Sequence, residues 1–596
     1  IEYAQGRETE VDLTKHFINK LNDCLNENKF KEALSLFEGN QNDDTVKESS
    51  WDIVPNVSSH LTLENVKSNR DKFECCAKIL YAVVQKCDPS ETVLELLDQV
   101  EVSDDDVKFC VIFNLLTSCF SKMNDKMKAL EWCTSTIRCY IGDMSLPQDE
   151  TPSVIIDPHS IKNIYNAVLS FLEPLVNEAT LDTSGKSAAL RDYLASILIF
   201  LLGEPLCYVE EKELESQPGP PLPEKIIMLV SRVTSDLLWF LNVAIMRSEQ
   251  ARCKNIKMTE ESTNLQVVLF ELDENVPDLA YANFYFYVVT KLHLWEKVPQ
   301  VYDTKYIFEG CTYLIITLFK EPETIEKGLD LMEQLLRKLT KQSLKSQLLK
   351  LNIYIDLFTV LVKIMIYSSM DKERRKAVLV FQEYIGMFDM EARYLIVLHL
   401  YQTSEHSGLL SLTTGIFKGF VIECLEATPP MPHFLGKNLE SLIKLACKLP
   451  HGSRSDIVEL SDEIIASLNL LRFLFLRDMH NQTGIWYLVD KLQNEYLEPL
   501  REGINLCKVY WKVKVKDLEE QRKTHRTSKN VELENGSTEV TLTVGGERLP
   551  EMPLPDKIFF SYQALNGLDV VESILIRVNE CISTRRISNR KFLLPL

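Results

Sequence analysis

From Val11 to Ile582 the apolar residues recur at every third or fourth position, the period of an α-helix with one buried face. Short polar breaks cut the pattern into runs at 11–25, 29–37, 71–86, 90–100, 104–121, 126–141, 160–179, 188–202 and 226–247. Further runs follow at 278–295, 306–319, 324–339, 343–367, 373–388, 391–401, 407–425 and 436–448. Period-two alternation, the mark of a strand, occurs only near 539–549. Almost every segment must therefore bury a helical stripe against another helix. Asp12 or Thr14 is the expected cap of the first one.

Breaks of a few residues place consecutive helices side by side, and a pair occupies about 35 to 45 residues, the size of HEAT and armadillo units. The predicted fold is all-α: an irregular HEAT/armadillo-like helical-repeat superhelix, with one small β-hairpin near the C-terminus. The hairpin is expected in TLTVGGERLPEMP, where Gly545 and Gly546 form the turn and Pro550 keeps the second arm short. The polar stretch 248–263 is the expected boundary between an N-terminal helical region, 1–253, and a C-terminal one, 254–596. Prolines at 147, 152 and 158 mark an earlier break, and ESQPGPPLPEK (215–225) reads as a connecting loop.

The most informative stretch is 461–582. Ile464, Leu468, Leu471 and Phe475 form one stripe, then NQTG (481–484) turns and caps the chain. The pattern resumes as Ile485, Val489, Leu492, Tyr496, Leu500, Ile504, Cys507 and Trp511. Pro499 predicts a kink in that helix, and Gly503 weakens it further. A last helix should bury Phe560, Ala564, Leu568, Val571, Leu575, Val578 and Ile582.

A chain of 596 residues exceeds a single compact core. Hydrophobic residues at 45% and charged ones at 26% make an ordinary folded balance, while a net charge of −20 argues against partners such as nucleic-acid phosphates or anionic membranes. Uncharged apolar runs stop short of the ~18 residues that span a bilayer. The opening IEYAQGRETEVD lacks the basic and apolar parts of a secretory signal. Fifteen scattered cysteines without a CxxC pair predict reduced thiols and a cytoplasmic or nuclear setting. Residues 501–529 carry nine Lys or Arg against four Asp or Glu, and TRRISNRK (584–591) is basic again, so this end is either a solvated face or a docking surface for an acidic partner.

Catalytic signatures are missing. Ser184-Gly185-Lys186-Ser187 imitates the end of a phosphate loop, but Thr180 stands where the first glycine belongs. HExxH and GxSxG do not occur, and His399 and His406 have no further ligand at metal-site spacing. No cofactor, no metal and no enzyme activity are expected.

The order of ASLNLLRFL, NQTGIW, a long helix with EPL, TVGGERLPEMP and LDVVESILIRVNE resembles the C-terminal half of the glomulin (FKBP-associated protein) family. SEHSG (404–408), KGLDLMEQLL (327–336), KCDPSETVLELL (86–97) and SWDIVPNV (50–57) extend the resemblance upstream. It implies a non-enzymatic regulator of cullin-RING ubiquitin ligases. Its C-terminal region would grip the RING-box subunit beside the cullin and mask the docking face of the ubiquitin-conjugating enzyme. His406, Lys418, Asn481, Trp486, Tyr487 and Arg577 are the contact residues expected on that basis. The alternative is a HEAT-type adaptor for immunophilin, receptor or transport partners.

Overall fold

The computed structural model describes residues 2–39, 41–101, 105–144, 158–181, 188–209, 219–253, 276–294, 302–428, 430–478, 480–527, 543–544, 547–548 and 553–592. The protein is an all-α helical-repeat chain, and its helices follow the sequence pattern to within a few residues: Arg70–Lys86, Pro89–Glu101, Asp106–Lys122, Met127–Asp143, Pro158–Leu181 and Ala188–Phe200 succeed one another. The expected β-hairpin is not an element of this architecture. Among the described residues pairing is limited to Thr543–Val544 against Glu547–Arg548, two residues a side.

Capping explains several helix starts. The Asp105 carboxylate accepts from the backbone N–H of Val107 at 3.0 Å and Lys108 at 3.4 Å, and also from Leu63 at 2.9 Å, so one side chain serves two helices. Asp303 and Asp389 do the same work ahead of Thr304–Leu318 and Met390–Thr403. The first helix runs Glu2–Asn26, so Asp12 and Thr14 lie inside it and do not begin it.

The chain forms two compact units, Ile1–Leu339 with Ile353–Val380, and Thr340–Asn352 with Phe381–Leu596. The boundary expected at 254 falls in 254–275, outside the described residues. Leu344 N donates to Met387 O at 3.0 Å and Asp389 N donates to Leu344 O at 2.8 Å, which fixes 340–352 to the second unit.

In the first unit, Asp106–Lys122 packs on Pro158–Leu181 through Phe113, Phe120 and Phe171, the last two with ring centres 5.0 Å apart. The single helix expected over 226–247 is two, Leu222–Val233 and Leu241–Cys253. Between them Asp236 N donates to Thr234 Oγ1 and Leu238 N to Asp236 Oδ1, local bonds that compete with the helix ladder. Helix Leu222–Val233 starts with Pro223 in its first turn, where a missing N–H costs nothing. Residues 215–218 of the proline-rich tract, and Ser184 to Ser187, lie outside the described residues.

The second unit stacks Met390–Thr403 on Ser407–Glu426, Ser407–Glu426 on Ser461–Arg477, Ser461–Arg477 on Leu554–Phe592, and Leu554–Phe592 on Glu498–Thr527. Arg393 is buried beneath this stack. It donates to Phe388 O at 2.8 Å and to the Glu423 carboxylate at 2.8 Å, and lies 4.8 Å over the Phe420 ring. Ser407–Glu426 is long and apolar enough to cross a membrane by length and composition, which a count of uncharged residues misses because Lys418 interrupts it. It is packed on two neighbouring helices.

Candidate functional site

The Ser461–Arg477 helix buries Ile464, Leu468, Leu471 and Phe475, as its spacing predicts. Its last turn hands over to Asp478, a buried carboxylate that organises everything after it. Asp478 Oδ1 accepts from Gln482 N at 2.7 Å; Oδ2 accepts from Thr483 N at 2.8 Å and from the Thr483 hydroxyl at 2.5 Å. Asn481 and Gly484 take left-handed conformations, φ +54° and +83°, that close the turn. The Asn481 side-chain oxygen then accepts from Trp486 N at 3.1 Å, and Thr483 Oγ1 accepts from Ile485 N at 3.2 Å. The loop is also anchored outward, since Gly436 N donates to Thr483 O at 3.0 Å. Asn481 and Thr483 thus cap the next helical segment, as expected. Asp478, which holds them, is missed in the sequence because a lone Asp after a helix carries no distinctive signal.

Adjacent residues on this rigid turn diverge. Trp486 is turned in: its Nε1 donates to Asp478 O at 2.9 Å, its ring centre is 4.9 Å from that of Phe475, and the Arg585 guanidinium lies 4.7 Å over it. Tyr487 is turned out, with 86% of its surface in solvent.

Beyond the loop, Ile485–Leu488 is a 3₁₀ turn, Val489–Leu492 is α, Gln493–Leu497 is a π turn, and Glu498–Thr527 is α again. The irregularity expected as a kink at Pro499 is thus a π turn just before it, which leaves Pro499 in the first turn of the new helix. Gly503 has a packing reason: a Cβ there would stand 3.1 Å from Ser453 O and 3.3 Å from Ile457. Leu500, Ile504, Val515 and Leu518 form the buried face, whereas Cys507 and Trp511 are only half-buried.

On the opposite face of Glu498–Thr527, Leu506, Val509, Tyr510 and Val513 stand exposed at helical spacing. Exposed Lys512, Lys514 and Lys516 lie alongside, with the Lys514 ammonium 4.9 Å over Trp511. The final helix buries Ile558, Ala564, Leu568, Val571, Leu575, Val578 and Ile582. Phe560, expected on that face, is instead 47% exposed and packs edge-on to Trp511 at 5.8 Å, because Ile558 and Ser561 take the inward positions. Lys508 fastens the two helices together through Asp569 at 2.5 Å and Glu572 at 2.7 Å. The string KVYWKVKV therefore holds an exposed apolar stripe that the search for a single buried face overlooks.

The remaining expected contact residues are spread along the unit. His406 is the N-cap of Ser407–Glu426, and its Nδ1 accepts from Leu409 N at 3.2 Å. Lys418 stands 5.0 Å over the Phe473 ring. Ser407 Oγ accepts from Glu463 N at 3.2 Å, so the two helices run parallel, and His406 lies near the start of Ser461–Arg477 while Tyr487 lies past its end. That separates them by roughly 25 Å along the helix. Arg577 is exposed on the final helix, about 12 Å from Arg585 at the helical rise. Asn481, Trp486 and Tyr487 form one cluster, with Arg577 on the helix that reaches it; His406 and Lys418 belong to other levels.

Among the described residues no cluster of His, Cys, Asp or Glu could hold a metal ion. The described cysteines are free thiols, and burial pushes Cys76 and Cys119 up to about 12. The fold defines the chain as a helical-repeat protein with exposed aromatic and apolar side chains on its second unit. The family model described as an uncharacterised protein family, YAP/Alf4/glomulin, matches residues 9–220 and 282–540. The chain belongs to that family. It is 26% identical over 575 residues to glomulin of Homo sapiens, covering 94% of this chain and 92% of that protein, and 27% identical over the same length to glomulin of Mus musculus.

Proposed function

We propose that this protein binds the RING-box subunit of a cullin-RING ubiquitin ligase through its second unit and inhibits the ligase by occupying the face where the ubiquitin-conjugating enzyme docks. The mode is steric. It needs a rigid surface burying about 800 Å² on each partner, with a few aromatic or Arg anchors carrying most of the energy. Tyr487 supports this reading most directly: its ring is 86% exposed and its backbone is already held by the bond from Tyr487 N to Gly484 O at 3.1 Å, so only two side-chain torsions remain to be ordered on binding. The Leu506, Val509, Tyr510 and Val513 stripe and exposed Arg577 extend the available surface. Membership of the glomulin family is the second support.

Isothermal titration of the full chain with a purified RING-box protein tests it. Tyr487→Ala should weaken binding by about tenfold or more while leaving the melting temperature unchanged. Equal affinity of variant and parent, or no binding by the parent, would rule the proposal out.

A further inference from the structure

The first unit carries an apolar groove remote in sequence from the residues assigned above. It has a volume of about 560 Å³ and lies between the 319–325 turn, the end of Asn352–Tyr367 and the start of Asp371–Met387. Phe319 and Ile364 are buried at its floor, with Val360 and Ile325 beside them. Phe319 lies close against Gly328: a Cβ on that glycine would stand 2.7 Å from the ring, so any larger residue there must displace it. The Thr324 hydroxyl donates to Leu318 O at 2.6 Å and fixes the same turn.

The opposite wall is equally built. Ser368 Oγ donates to the Glu373 carboxylate at 2.5 Å and Arg374 Nη1 donates to Ser368 O at 2.5 Å, which locks the 368–371 corner. On that corner Tyr367 is 78% and Met370 57% exposed, two residue types enriched where proteins meet and costly to leave in water. The groove is thus apolar, preformed and large enough for a few side chains. Glu323 and Glu373 outnumber Lys363 among its charged residues, on a chain of net charge −20.

We propose that this groove receives a short segment of a second protein that presents one bulky apolar side chain flanked by Lys or Arg. The apolar side chain covers Phe319 and Ile364 and is gripped by Tyr367 and Met370. Its cationic neighbour meets Glu323. The first unit then acts as a separate docking module, independent of what the second unit binds.

Full-length protein is panned against a random short-peptide library, and synthetic versions of the enriched peptides are titrated by fluorescence anisotropy. Enriched sequences should share an aromatic or aliphatic residue beside Lys or Arg. Met370→Glu, Tyr367→Ser and Glu323→Lys should each weaken them by about tenfold or more. Tyr367 and Glu323 are surface positions, so those variants keep the parent melting temperature even if Met370→Glu does not. Tyr487→Ala should bind these peptides normally, which separates this site from the second unit. Failure to enrich, acidic flanks, or binding that ignores all three groove substitutions would overturn the proposal.

Discussion

The indole Nε1 of Trp486 donates to the backbone carbonyl of Asp478 at 2.9 Å, while the carboxylate of the same Asp478 accepts from Gln482, Thr483 N and the Thr483 hydroxyl. One buried residue therefore ends a helix, closes a loop and aims an aromatic ring. Because Trp486 is held inward, its neighbour Tyr487 is held outward.

Asp478→Ala leaves the N–H groups of Gln482 and Thr483 without their acceptor, and Thr483 is fully buried. The loss should be about 2–4 kcal/mol, since a buried donor stripped of its partner costs about 1–3 kcal/mol. Chemical denaturation checks this; an unchanged midpoint would mean that the loop is held by other contacts.

Trp486 and Tyr487 should separate stability from binding. Trp486→Ala removes the Phe475 packing, the Arg585 contact and the Asp478 bond, and should cost about 2–3 kcal/mol. Tyr487→Ala removes a solvent-exposed ring and should leave the denaturation midpoint in place. A matching loss in both variants contradicts this division.

Gly328→Val forces a side chain into the Phe319 ring. The expected destabilisation is about 1–3 kcal/mol, read from the melting temperature of the full chain. A neutral result would show that the 319–325 turn yields freely, and the groove it helps to build would then lack its fixed floor.

Burial, with repulsion from Glu459 in second place, pushes the Glu463 carboxyl from 4.5 up to about 7. A folded-state value above the unfolded one means that its contribution is fully present below 4.5 and is lost as the pH rises through about 7. The melting temperature should therefore carry a component that falls between pH about 4.5 and about 7, and Glu463→Gln should flatten it. An identical pH slope in the variant would contradict the assignment.

The helical class and most helix positions are legible in the sequence because a period of three to four residues records directly which face is buried. Ile464, Leu468 and Leu471 need no structure to be placed in the core. The β-hairpin expected near 539–549 is overread: among the described residues it comes down to Thr543–Val544 against Glu547–Arg548, because a good turn sequence does not by itself supply long strands. The break at 234–240 is missed because Thr234 and Asp236 redirect the backbone by local hydrogen bonds without any Pro or Gly to announce it. Where the expected contact residues sit in the fold is legible only in part for the same reason. Periodicity says that Trp486 and Tyr487 lie beyond a turn, but only the Asp478 bonds decide which ring faces water.

Reconstituted ubiquitin transfer by a cullin-RING ligase, titrated with this protein, is the most direct test of steric masking. Masking predicts that discharge from the conjugating enzyme slows in proportion to occupancy of the RING-box subunit, that charging of the conjugating enzyme is unchanged, and that Tyr487→Ala shifts the curve to higher concentration. Full inhibition by a chain lacking the residues after Pro450, or slowed charging, would contradict it.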